Sequence, residues 1–140
     1  GTLYIGDFGN NLGYRTDLKV YRIPEFETKM NQDTIFDFET IHYTYSDQEL
    51  EPLPDNDTNY DCEAMIVLED ELHLFSKDHG SSGHSKHYTL PTSSGSYTAM
   101  LIDSLPRQNW ITGAALDHVH EMIYFVSDSS ISKYNFKQID

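Results

Sequence analysis

Tyr60-Asp61-Cys62-Glu63-Ala64-Met65-Ile66-Val67-Leu68-Glu69-Asp70-Glu71-Leu72-His73-Leu74-Phe75-Ser76-Lys77-Asp78 reads as an apolar strand, an acidic turn and a second strand. The strands run from Ala64 to Leu68 and from Leu72 to Ser76, and Glu69-Asp70-Glu71 turns the chain between them. Asp61 and Glu63 stand at the entrance of the first strand.

The rest of the chain carries partial copies of this unit. Asp61-Cys62-Glu63-Ala64-Met65 lies over Thr112-Gly113-Ala114-Ala115-Leu116 at an offset of 112 − 61 = 51. Leu72-His73-Leu74-Phe75-Ser76 lies over Ile123-Tyr124-Phe125-Val126-Ser127 at 123 − 72 = 51. Leu3-Tyr4-Ile5-Gly6-Asp7 matches the second member of each pair. A following strand recurs as Val20-Tyr21-Arg22-Ile23-Pro24, His87-Tyr88-Thr89-Leu90-Pro91 and Lys133-Tyr134-Asn135-Phe136. Further strands are expected from Thr34 to Tyr45 and from Tyr97 to Asp103, and no stretch of ten or more residues holds a helical period.

The expectation is therefore an all-β chain built from four-stranded β-propeller blades. Residues 1–45 would form a partial blade, 46–60 a loop, 61–104 a complete blade and 110–140 a second partial blade. A β-sandwich or an open meander fits the strand spacing as well; the constant offset favours blades. So few blades cannot close a ring. The propeller would be incomplete: either the chain is a piece of a longer protein, or copies self-associate through exposed end blades.

The 140 residues suffice for one domain, with 38% hydrophobic and 13% aromatic content. Nine Lys and Arg face 23 Asp and Glu, a net charge of −14. So acidic a surface repels phosphate backbones and argues against nucleic acid as a partner. No apolar run is long enough to span a membrane. Cys62 is the single cysteine, so no intrachain disulfide forms, and it reads as a small buried thiol rather than a nucleophile.

Leu3-Tyr4-Ile5-Gly6-Asp7-Phe8-Gly9-Asn10-Asn11, with Arg15 to Pro24, resembles secreted bacterial β-propeller proteins of largely unassigned function. Asp61-Cys62-Glu63-Ala64-Met65 resembles their Asp-Ala-Glu-Ala-Leu element, departing at Cys62 and Met65, and Ile111-Thr112-Gly113-Ala114 resembles their Ile-Thr-Gly-Ala element. The resemblance implies export to the cell surface or beyond. It also implies a binding or scaffold module, for an unassigned protein, small-molecule or carbohydrate ligand. Some related propellers are esterase-like or phytase-like, and the alternative reading is a propeller-type hydrolase with a metal at the central channel held by Asp61 and Glu63.

Asp61 and Glu63, two apart on a strand, share one face and would sit near a propeller channel. Such carboxylates suit a hard cation, calcium first, with Asp7 of the Gly-rich loop as the next candidate ligand. Equally, acids at a strand start bond to nearby backbone N–H groups. His79, His84 and His87 cluster after Asp78, short of the fixed ligand set that zinc requires. No Gly-x-Ser-x-Gly elbow is present. Asn56-Asp57-Thr58 matches a glycosylation sequon.

Overall fold

A computed structural model describes residues 1–49, 58–80, 82–106 and 110–138. The chain is all-β. Its strands are β1 (Leu3–Asp7), β2 (Leu18–Ile23), β3 (Glu39–Tyr45), β4 (Asp61–Leu68), β5 (Glu71–Lys77), β6 (His84–Pro91), β7 (Gly95–Pro106), β8 (Ile111–Asp117), β9 (Met122–Ser127) and β10 (Ile131–Asn135). Among the described residues the only helical pieces are α1 (Phe26–Lys29) and a 3₁₀ turn at Phe136–Gln138.

β-branched and aromatic residues at period two explain the strands. In β3, Ile41, Tyr43 and Tyr45 are buried while His42 and Thr44 are exposed. In β5 the alternation disappears, and Leu72 to Ser76 are buried without a break. A strand covered on both faces reads this way.

One seven-stranded sheet runs β1-β2-β3-β7-β6-β5-β4, and a three-stranded sheet runs β10-β9-β8. All neighbours are antiparallel except β3 and β7. Gly95 to Ala99, the first part of β7, pair in parallel with Ile41 to Tyr45, and the remainder pairs with β6. Residues 1–45 and 61–104, expected as separate sheets, are thus stitched into one.

Packing nevertheless divides the chain into three layers. Leu18, Val20, Ile41 and Tyr43 of β2 and β3 pack against Leu72, Leu74, Tyr88 and Leu90 of β5 and β6 in one core. On the opposite face of the β4–β7 layer, Ala64, Ile66 and Phe75 pack against Ile111, Ile123 and Phe125 in a second core. Full burial of each large apolar side chain stabilises by about 1.5–3 kcal/mol, so the middle layer, apolar on both sides, anchors the fold.

Two expected boundaries move. β3 begins at Glu39 rather than Thr34, because its partner β2 ends at Ile23-Pro24 and the last pair is Arg22 with Glu39. The strand from Tyr97 to Asp103 extends to Gly95–Pro106 because it has one partner for each half. The repeat offset also changes between strands. Leu68 pairs with Glu71 across Glu69-Asp70, both in the left-handed region at φ 50° and 66°, as a two-residue hairpin turn requires. Asp117 pairs with Met122 across a four-residue turn. Val67 pairs with Leu72 and Leu116 with Ile123, so with β9 over β5 at 51, β8 lies over β4 at 116 − 67 = 49. Ala115 and Leu116 therefore do not take the pairing positions of Ala64 and Met65. The difference is two residues, so every side chain keeps its face.

The expected loop over 46–60 lies partly outside the described residues, as do Asn56 and Asp57 of the sequon. Its last residue, Thr58, is buried.

Candidate functional site

The entrance of β4 gathers polar side chains from three parts of the chain. The first is the loop after β1. Gly13, at φ +78°, donates its N–H to the Asn10 carbonyl at 2.8 Å, and a Cβ there would lie 2.6 Å from Thr58 Cγ2. Only glycine fits a turn so placed. Arg15 clamps the loop through Nε to Asp17 at 2.7 Å, and through its terminal nitrogens to the Gly9 carbonyl and Asp7 at 3.0 Å each. The Asn10 side-chain oxygen accepts the Arg15 N–H at 2.9 Å. This delivers the Asn10 N–H to Asp61 Oδ1 at 2.5 Å.

The second part is the turn after β5. Buried Asp78 accepts the N–H groups of Gly80 and Gly83 at 3.0 and 2.9 Å, and the His79 N–H donates to the Thr58 carbonyl at 3.1 Å. The imidazole of His79 then meets Asp61, Nε2 to Oδ2, at 2.7 Å. An ionised carboxylate only accepts, so Nε2 carries the proton; in the neutral imidazole Nδ1 then keeps its lone pair.

Asp61 has no solvent exposure. Both its oxygens are held by protein donors, which is how a buried carboxylate is tolerated. Glu63 is the residue skipped by the register shift between Cys62 and Ala64. It lies beside Asp61, and burial first, then the Asp61 charge, push its carboxyl above its ordinary value while Lys77 pulls it back. Lys77 Nζ stands 3.7 Å from Glu63 and 5.3 Å from the centre of the Trp110 ring. The Trp110 ring lies 5.5 Å from that of His79. Trp110 is held at φ 55°, an uncommon conformation for an aromatic residue.

The expected pair Asp61 and Glu63 is therefore brought together, but Asp7 does not join it. Asp7 binds Arg15 and Lys19 at 3.0 and 3.3 Å, and the Arg15 hydrogen bond holds its carboxyl below the ordinary value. A calcium site needs about six to eight oxygens directed at one point. Among the described residues no three His, Cys, Asp or Glu side chains converge so as to hold a metal ion. Among the described residues the oxygens of Asp61 and Asp7 face protein donors rather than a shared point.

The three histidines of the loop disperse. His79 goes to Asp61, His84 Nδ1 contacts the Ser82 carbonyl at 2.8 Å, and His87 is buried beside His73 at 2.8 Å. Cys62 is buried, and burial pushes its thiol up to about 12, which keeps it protonated and inert. Lys77 and Trp110 are the site residues that sequence reading missed, and His79 was read only as one of three clustered histidines, not as a partner of Asp61. The one available signal was that Asp78, adjacent to His79, begins a Gly-rich turn directly after the strand paired with Asp61.

A depression of about 300 Å³ lined by Gly9, Asn10, Leu12, Tyr14 and Arg15 adjoins the cluster through Asn10. Together they offer a carboxyl, an imidazole, an ammonium and the exposed aromatic residues Trp110 and Tyr14. Comparison with known proteins returned no matching family model, no matching curated protein and no matching solved structure.

Proposed function

We propose that this chain is a secreted bacterial β-propeller module with a binding or scaffold role, its ligand-facing end at the entrance of β4. The observation that carries the reading is the middle layer. It is apolar on both faces, as an interior blade must be, yet ends in the Asp61–His79–Glu63–Lys77–Trp110 cluster. Mixed donors and acceptors beside an aromatic face suit a hydroxyl-rich ligand, so carbohydrate is the ligand class. The test is an NMR titration of the intact chain with a panel of oligosaccharides. Saturable shifts confined to Glu63, Lys77, His79 and the Trp110 indole are expected, with their loss in His79→Ala. Shifts centred elsewhere, or none across the panel, overturn the ligand assignment.

The Asp61–His79 pair favours a second reading, a hydrolase. Asp61 orients an imidazole whose Nδ1, in the neutral ring, is a base, and Glu63 lies beside the pair as the second carboxyl. Hydrolysis of ester substrates that His79→Ala abolishes and chelators leave intact would establish it. Equal rates in both proteins would dismiss it.

A further inference from the structure

We infer that the two outer faces of the stack are complementary halves of one interface, and that a second copy of this chain covers each of them, head to tail. The argument comes from strand register. In the middle layer, Leu72 pairs with Leu90 and Leu74 with Tyr88, and these four side chains are buried under the first layer. In the first layer, Leu3 pairs with Ile23 and Ile5 with Tyr21. The two sets are the same rows of the same strand pair. Leu3, Ile5, Tyr21 and Ile23 face away from the core that Leu18 and Val20 enter, because side chains alternate across a strand. Ile5, Tyr21, Ile23 and Phe38 line an open apolar depression of about 240 Å³, with Ile5 46% exposed and Phe38 47% exposed.

The third layer shows the other half. In the middle layer, Phe75 pairs with Ala64 and His87, a row facing the third layer. With β9 over β5, its counterpart is Val126 paired with Gly113 and Ile131. Phe75 and His87 have no exposure, whereas Val126 and Ile131 are 44% and 72% exposed. Tyr124, paired with Ala115 and Lys133, continues this outer face.

Both interfaces inside the chain obey one rule. A face of the Phe75 kind meets a face of the Leu72 kind on the next layer. Leu18, Val20 and Ile41 meet Leu72 and Leu74, and Phe75 meets Ile123 and Phe125. Among the described residues one face of each kind is left open, at opposite ends, with Ile23 alone of the first-layer set buried. A second copy, set with its first layer on the third layer of the first copy, satisfies the rule again. The contact is heterologous, so association extends into a ring or an open stack rather than stopping at a two-fold dimer. The −14 charge opposes it, and added salt screens that repulsion.

Sedimentation of the intact chain against protein and salt concentration tests this, with folding of each variant checked by circular dichroism. The wild type is expected to grow past the dimer, more so at high salt. Ile5→Asp and Ile131→Asp should each be monomeric, with Val126→Glu behaving as Ile131→Asp does. Met100→Asp, at an exposed apolar position on β7 outside both faces, should associate as the wild type does. Mixing Ile5→Asp with Ile131→Asp should restore a dimer and nothing larger, since one intact face of each kind remains. A wild type that stays monomeric throughout, a dimer formed by either blocked variant alone, or a mixture that stays monomeric overturns the proposal.

Discussion

Acidification should destabilise this protein through one buried imidazole. His87 has no solvent exposure, stacks on Phe75 at 4.5 Å between ring centres, and places Nε2 at 2.8 Å from His73 Nδ1. Its own Nδ1 has no hydrogen-bond partner among the described residues. Burial first, then the neighbouring His73, lower its pKa from 6.5 to about 4, with Asp103, its cross-strand neighbour, opposing them. Between these values the unfolded chain binds the proton and the folded chain does not. Stability from this group is thus complete above pH 6.5 and falls as pH drops toward about 4. At about 1.36 kcal/mol per pH step, the loss comes to about 3 kcal/mol. Urea unfolding of wild type and His87→Gln across this range isolates the term, because other titrating groups are common to both. Wild type should lose about 3 kcal/mol more than the variant on going from neutral pH to about pH 4. Parallel curves would refute the reasoning.

Replacing Asp61 by Ala strands the Asn10 N–H and the His79 imidazole and should cost about 3 kcal/mol by chemical denaturation, while Asp61→Asn costs less. Cys62 should resist thiol reagents in the folded chain and react only as fast as the chain opens, measured by thiol titration with and without urea. Calcium should leave the melting temperature unchanged, because the Asp61 and Asp7 oxygens face protein donors; a rise on calcium and a fall on chelation would contradict that fit.

Strand positions and faces were largely legible in the sequence, because burial imposes period two and the Glu69-Asp70 turn is local. The internal repeat was legible for the same reason, to within the two residues by which the four-residue turn at Asp117 differs from Glu69-Asp70. The parallel pairing of β3 with β7 was not. It joins residues more than fifty apart through backbone groups that carry no sequence signature. For the site, Asp61 and Glu63 were readable as a pair because two residues on one strand share a face. Their partners depended on long-range closure. Asn10 reaches Asp61 only because Arg15 and Gly13 fold its loop back, and His79 only because Asp78 caps the following turn. Asp7, in the Gly-rich loop, was the next candidate after Asp61 and Glu63. Arg15 and Lys19 beside it decide otherwise, and that contact follows from the pairing of β1 with β2.

The central claim is that the β4–β7 layer is the interior of a three-layer stack. Amide hydrogen exchange measured strand by strand tests it most directly, since protection follows burial and cooperative stability. The slowest amides should be those of Leu72 to Phe75 in β5 and their β6 partners, which are covered on both faces. β1 and β10, each at a sheet edge with one face open, should exchange fastest among the strands. Protection in β5 no greater than in β1 or β10 would contradict the account.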